Sequence, residues 1–320
     1  MITPIQWRKS LGWVIALCAL GLVGCATHPK VELPPHLDVP PAAELTDVPF
    51  FPQGEYQCGP ASLAMALQWS GVDVTPEQLK PQVYTPSRKG SLPPDMIGTA
   101  RRHGRLAYPV NSMEALLKEV AEGHPVIVLQ RLSSFMRSSW HYAVVIGYDL
   151  DRRKVILHSG MEERETLSFE EFAATWQAWG RWGILTLAPG RFPATVQEEA
   201  YLKAAIGLEQ TGRWPEAEQA YSQASSRWPE SGTLWVGLGN SRYAQNNLSG
   251  AEKAFRAAVK ADPALAASFN NLAHVLMELG RYEEALTTID QAIALNGPLI
   301  ETFQKTRTEI LQKTDGPPVP

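Results

Sequence analysis

A period of 34 residues in the C-terminal part of the chain limits its possible folds more than any other feature of the sequence. The recurring positions hold small or large apolar residues: Ala217, Ala251 and Ala285; Tyr221, Phe255 and Ile289; Ala224, Ala258 and Ala292. Two prolines, Pro229 and Pro263, follow at the same interval. A period of this length predicts a stack of helical repeats, in which each repeat buries its apolar face only against its neighbours.

This pattern resembles the tetratricopeptide repeat. Large residues fill the first large position of that repeat, and a Leu followed by a small residue matches its packing pair: Tyr201, Trp235 and Phe269; Leu238-Gly239 and Leu272-Ala273. The resemblance implies an all-α solenoid of three repeats over residues 198–313, in which residues 299–313 form a capping helix. It also implies a surface that binds a protein or peptide partner. Residues 314–320 are expected to form a disordered tail.

The N-terminus predicts export. Arg8 and Lys9 precede an apolar run of 13 residues, 11–23, which is too short to span a bilayer and typical of a signal-peptide core. The run ends on Leu-Val-Gly-Cys at 22–25, which resembles the bacterial lipobox. That resemblance implies a signal peptide over 1–24, lipidation of Cys25, and a lipid anchor in the outer membrane facing the periplasm. A plain signal peptide followed by a chance cysteine is the alternative.

Composition excludes several classes of function. The formal net charge of −4 becomes −6 once the two cations of residues 1–24 are removed, which argues against a nucleic-acid surface. The sequence has no paired cysteines, no HExxH and no GxxxxGK[ST] phosphate loop, so we expect neither a metal nor a nucleotide cofactor. Residues 25–45 are rich in proline and predict an extended tether.

Residues 46–190 mix helical and strand patterns and predict an α+β domain. The first expected helix begins at Thr75-Pro76, where Gln78 completes a capping box. The second runs from Asn111 to Gly123, and the third covers 168–179. The expected strands are 125–129, 141–148, 154–158 and 183–187, and the second and third are joined by a polar turn at 149–153. Three tryptophans near the end of this block are expected to pack in the core and at its rim: Trp176, Trp179 and Trp182.

Cys58 is the only cysteine that remains as a free thiol after processing, because Cys18 leaves with the signal peptide and Cys25 carries lipid. A disulfide within the mature chain is therefore excluded, and the thiol is either inert or reactive. It precedes an apolar helical stretch, so it should lie at a helix N-terminus, where the helix dipole lowers a thiol pKa. Among the histidines we select His141 as its base, since His141 opens a β-rich run after a serine-rich loop.

The segment from Gln53 through Cys58-Gly-Pro-Ala, together with His141-Tyr-Ala-Val-Val, resembles the papain-like cysteine peptidases that process bacteriocin leaders at double-glycine sites. The resemblance implies Cys58 as nucleophile, His141 as general base and then acid, and Gln53 as oxyanion donor, with Gln57 as the alternative donor. The family usually orients its histidine with an Asp.

At that Asp position this sequence has Ser159, or His158 if the alignment shifts by one residue. The sequence thus predicts an α+β papain-like cysteine peptidase domain followed by an all-α tetratricopeptide-repeat solenoid, exported and lipid-anchored. Its expected partners are a peptide or protein substrate, a protein bound by the repeats, and the membrane. Two other functions stay open: a non-catalytic peptide-binding scaffold, and an acyltransferase or amidase that acts on an envelope amide. The sequence names no substrate.

Overall fold

The computed structural model describes residues 30–134 and 137–314. The predicted signal peptide, Cys25 and residues 315–320 of the predicted tail lie outside the described residues. The chain divides into two units, 1–32 and 33–320, and the second contains all the helices and strands described below. Within the described part of the chain, no helix has both the length and the apolar character needed to cross a membrane.

A seven-stranded antiparallel sheet forms the centre of the N-terminal domain. Its strands follow the order β4-β9-β5-β6-β7-β8, with β1 pairing on β6, while β2 and β3 form a separate hairpin. The strand bounds are β1 Ala42–Glu44, β2 Tyr84–Thr85, β3 Gly90–Ser91, β4 Leu106–Pro109, β5 Val126–Ser134, β6 Arg137–Asp149, β7 Lys154–Ser159, β8 Glu162–Ser168 and β9 Gly183–Leu187.

Among the described residues, five α-helices belong to the sheet domain and seven follow it. Their bounds are α1 Cys58–Trp69, α2 Pro76–Val83, α3 Pro93–Arg102, α4 Met113–Ala121, α5 Phe169–Trp176, α6 Glu198–Glu209, α7 Trp214–Arg227, α8 Gly232–Ala244, α9 Leu248–Ala261, α10 Ala266–Glu278, α11 Tyr282–Ala294 and α12 Ile300–Thr314. Short 3-10 turns cover Pro86–Arg88 and Gln177–Trp179.

Helix α1 lies in the core, because its sequence is apolar on every face. Leu63, Met65 and Leu67 are all fully buried, within a cluster that also includes residues of β5, β6 and β9. The Thr186 hydroxyl of β9 donates to the carbonyl of Ala66 at 3.0 Å. The helix is therefore fixed to the sheet along its length, and so is the residue at its first position.

The capping chemistry explains where several helices begin. Thr75 and Gln78 form the predicted capping box at the start of α2. The cap of helix α4 is Ser112, one residue after the predicted Asn111, because the side chain of Ser112 accepts from the amide of Ala115. A serine or threonine oxygen satisfies one of the free N–H groups of the first turn, so the choice of cap fixes the first residue of the helix.

Two pieces of the sheet extend beyond their predicted limits. Strand β6 begins at Arg137, so His141 lies inside the strand opposite Gln130 and does not open it. The serine-rich stretch before His141 is paired with β5, a contact that its polar composition does not indicate. Strand β1, within the predicted tether, pairs with Gly147 and its neighbours, where a Cβ on Gly147 would lie 2.8 Å from the carbonyl of Ala43.

Helices α6 to α11 pack consecutively, and α12 closes the stack against α10 and α11. Glycines let the repeats approach closely: a Cβ on Gly237 would lie 2.4 Å from the ring of Tyr221, and one on Gly239 would lie 2.3 Å from the ring of Phe255. These contacts place an aromatic ring of one helix directly on the backbone of the next. The close approach depends on the absence of a side chain at both glycines.

A buried carboxylate joins the two domains. Glu119 of α4 is fully buried and accepts from the amide and hydroxyl of Thr195 at 2.9 and 2.5 Å and from the amide of Ala194 at 3.0 Å. His124 contacts the same carboxylate at 2.9 Å. The Tyr108 hydroxyl donates to the carbonyl of Thr195 at 3.0 Å. The connection between sheet and repeats is therefore held by specific hydrogen bonds, not left as a free linker.

Candidate active site

Cys58 is the first residue of α1 and is partly exposed at one end of a cleft of about 850 Å³. The backbone of Tyr142, the residue that follows His141 on β6, acts to lower the pKa of the Cys58 thiol. His141 and Gln53 line the same cleft. The fold thus brings together three side chains that are distant in the sequence, from the loop before α1, from α1 and from β6.

Burial is the main influence on the pKa values of Cys58 and His141. It raises the pKa of the Cys58 thiol above its ordinary value of 9.0, although backbone hydrogen bonds from Tyr142, Gly59 and Cys58 itself act in the opposite direction. Burial also lowers the pKa of His141 to about 4. The sequence predicted a lowered thiol pKa from the helix terminus alone, and this is wrong because loss of solvation outweighs the dipole. Near neutral pH both shifts favour the uncharged forms, the thiol of Cys58 and the imidazole of His141.

The hydroxyl of Ser159 lies where the resembling family has the Asp that orients its histidine. Ser159 ends β7, is buried, and its Oγ is 3.1 Å from Nε2 of His141. The alternative, His158, points elsewhere: its Nε2 is 3.1 Å from the carbonyl of Val48, and its Nδ1 contacts the carbonyl of Glu163. The structure therefore places Ser159, not His158, against the imidazole.

Gln53 is held with its amide in one orientation. Its Oε1 accepts from the amide of Gly160 at 3.2 Å, so the NH₂ group must be the one that faces Ser62, whose Oγ is 3.3 Å away. One of the two N–H bonds serves Ser62, and the residue as a whole lines the cleft. Gln57, the alternative donor, does not line the cleft, and its side chain packs beside Gly54.

The cleft walls include residues that sequence reasoning did not assign to a site. Trp140 and Trp179 form an edge-to-face pair with centroids 5.0 Å apart, and both are about half exposed. Trp140 directly precedes His141, and this adjacency was the one signal in the sequence that could have assigned Trp140 to the cleft. Ser91 packs against Gly59, where a Cβ would lie 2.1 Å from its Oγ, and that Oγ has no hydrogen-bond partner among the described residues.

The remaining predicted tryptophans are packed as expected. Trp176 is buried and donates from Nε1 to the carbonyl of Trp182 at 2.7 Å. Trp182 meets the ring of Tyr142 edge to face, with centroids 5.6 Å apart. In the described ranges, no group of three or more His, Cys, Asp or Glu residues is placed to hold a metal ion. Charged side chains line the cleft beside the thiol, imidazole, hydroxyl and amide groups: Glu55, Arg88 and Lys89.

Three family models match the sequence. The Peptidase_C39 like family matches residues 37–184, and two tetratricopeptide-repeat models match residues 202–266 and 243–298. Among curated proteins, none matches the chain significantly. These matches cover the sheet domain and the repeats separately.

Solved structures resemble one or the other part of the chain. A putative C39-like peptidase from Bacillus anthracis is 20% identical with a TM-score of 0.37, covering 45% of this chain and 96% of its own. The TPR2B domain of yeast Sti1 is 19% identical with a TM-score of 0.35, covering 36% of this chain and 97% of its own. The Yersinia enterocolitica chaperone SycD, in complex with a YopD peptide, is 20% identical with a TM-score of 0.35, covering 37% and 94%.

The predicted fold class is confirmed: an N-terminal domain with an α/β sheet precedes a run of helices that match tetratricopeptide repeats. The chain is therefore a Peptidase_C39-like domain followed by tetratricopeptide repeats.

Proposed function

We propose that this protein is a cysteine peptidase that hydrolyses peptide bonds through Cys58 and His141. The observation that carries the proposal is the convergence of Cys58, His141 and Gln53 on one cleft, with Ser159 Oγ 3.1 Å from Nε2 of His141. A nucleophile, a base and an oriented N–H donor are the parts that acyl transfer requires.

The hydrogen bond between Ser159 and His141 supports one proton path. Because Nε2 of His141 is engaged by Ser159, Nδ1 is the nitrogen that takes the thiol proton as the sulfur of Cys58 bonds to the substrate carbonyl. The carbonyl oxygen becomes an oxyanion that an N–H of Gln53 stabilises. The C–N bond then breaks, His141 returns its proton to the leaving amine, and water hydrolyses the thioester to regenerate the thiol.

A second candidate function is peptide binding without catalysis, and the pKa values favour it. Burial disfavours both the thiolate and the imidazolium, and a hydroxyl stabilises an imidazolium less than a carboxylate does. In this case the cleft would hold a peptide next to an inert thiol. The two candidates share a binding surface and differ only in turnover.

The repeats and the N-terminus complete the proposal. The tetratricopeptide repeats would recruit a protein or peptide partner, which is the usual role of such concave helical stacks. Lipidation of Cys25 would hold the protein in the bacterial envelope, at the outer membrane facing the periplasm. Growth with an alkyne fatty acid tests the anchor: the wild type should be labelled and the Cys25→Ser variant should not.

The test of catalysis compares envelope peptides from cells that carry the wild type, Cys58→Ala or His141→Ala. We expect a set of cleavage products that is present only with the wild type, at equal protein levels. Purified protein should then cleave the same sites. If purified wild type cleaves none of them and Cys58 is not labelled by an electrophilic peptide probe at neutral pH, the binding function replaces the peptidase.

A further inference from the structure

A second cavity of about 390 Å³ lies beside the catalytic cleft, at the junction of the sheet domain and the first repeat helix. We call it the junction pocket. Its polar lining consists of Arg101, Arg181, Lys203 and Asn111, and its aromatic lining of Trp179 and Trp182. No Asp or Glu lines it among the described residues. Cations and aromatic rings together suit a ligand that has a negatively charged group on an apolar stem.

The three cations of the junction pocket come from three separate elements. Arg101 is on α3, Arg181 lies in the loop before β9, and Lys203 is on α6 of the repeats. Like charges that converge without a carboxylate repel one another, so the arrangement is most stable when an anion lies between them. Lys203 does pair with Glu199 at 2.5 Å, but both are exposed and Glu199 does not line the pocket.

Arg101 has no counter-charge among the described residues. Its side chain lies on α6 where a Cβ on Gly207 would come within 2.1 Å of its Nε. That Nε is buried without a hydrogen-bond partner, and no ion pair to Arg101 occurs among the described residues. Burial lowers the pKa of Arg101, as expected for a cation removed from water with no counter-charge. Such a guanidinium gains most from a carboxylate, which matches its planar donors.

Trp179 lines both the junction pocket and the catalytic cleft. A peptide in the cleft that passes over this ring therefore reaches the three cations without leaving the surface. We propose that the junction pocket binds an acidic side chain, Asp or Glu, of the substrate at a fixed distance from the scissile bond. This inference rests on the proposed peptidase function, and it gives the repeats a direct part in selecting the substrate through Lys203.

The first test reads specificity. Wild type, Arg101→Gln and Lys203→Gln digest a library of peptides, and mass spectrometry records the cleavage sites. We expect Asp and Glu to be enriched at one offset in the wild type, and the enrichment to fall about tenfold in both variants while cleavage persists. Lys305→Gln, an exposed lysine on α12, makes the same charge change elsewhere and should keep the enrichment. Cleavage without acidic enrichment overturns the inference and leaves the peptidase function standing.

The second test needs no turnover. The full chain with Cys58→Ala is titrated with a fluorescein-labelled (Gly-Glu)₃ peptide and its (Gly-Gln)₃ counterpart. We expect the acidic peptide to bind about tenfold more tightly, and Arg101→Gln and Lys203→Gln, each added to Cys58→Ala, to remove that difference. Lys203 is exposed, so its variant guards against loss of fold at Arg101. Equal binding of the two peptides, or complete displacement by inorganic phosphate at the same concentration, overturns the inference.

Discussion

Replacing Ser159 with Asp should activate Cys58. Ser159 Oγ lies 3.1 Å from Nε2 of His141, so a carboxylate at this position would face the imidazole directly. An opposite charge favours the imidazolium, which in turn favours the thiolate of Cys58. The substitution therefore changes only the group that faces the imidazole and leaves Cys58 and His141 in place.

The magnitude follows from the burial of His141. Lowering its pKa from 6.5 to about 4 makes protonation cost about 3 kcal/mol more than in water. A carboxylate within hydrogen-bond distance raises such a pKa by about 1 to 3, or about 1.4 to 4 kcal/mol, and so offsets much of that cost. We expect the thiolate population of Cys58, and kcat/KM if the protein is a peptidase, to rise at least about tenfold at pH 7.

The assay is the rate of iodoacetamide alkylation at Cys58, resolved by peptide mass spectrometry from pH 4 to 9. It works without a known substrate. In the wild type the alkylation rate should rise only towards pH 9, because burial raises the pKa of the Cys58 thiol, whereas Ser159→Asp should raise the rate near pH 7, because the imidazolium it stabilises favours the thiolate. Ser159→Asn is the matched control, with a similar shape and no charge. Equal alkylation rates for Ser159→Asp and Ser159→Asn would refute the reasoning.

Three further predictions concern other residues. Glu119→Gln should lower the free energy of unfolding by about 3 to 5 kcal/mol at pH 7, measured with urea. Burial would raise the pKa of Glu119, but hydrogen bonds lower it overall, so the loss should disappear as the pH falls from 4.5 through that lowered pKa. Gln53→Glu should reduce kcat about 10² to 10³-fold with little change in KM, because it replaces an N–H donor by a charge that repels the oxyanion. Gly237→Ala should lower the thermal unfolding temperature, since its Cβ would meet the ring of Tyr221 at 2.4 Å, whereas Gly297→Ala has nothing within 4 Å and should not.

The local sequence patterns determined much of the fold. The 34-residue period of alanines and aromatics predicted the repeat stack, because each repeat contacts only its neighbours and so leaves its signature in a short window. Thr75 and Gln78 predicted the start of α2 for the same reason, since a capping box lies within one helical turn. The pairing of Cys58 with His141 was predicted from the place of His141 before a β-rich run and from a family resemblance between two separated motifs, and both residues line one cleft.

The tertiary structure decided what depends on contacts between distant residues. Whether Ser159 or His158 faces His141 depends on the register of β7 against β6, and a shift of one residue turns each side chain to the other face. The raised thiol pKa of Cys58 comes from the atoms packed around it, which no motif records. The junction pocket requires α3, a loop and α6 to meet, and only the folded chain brings Arg101 and Lys203 together.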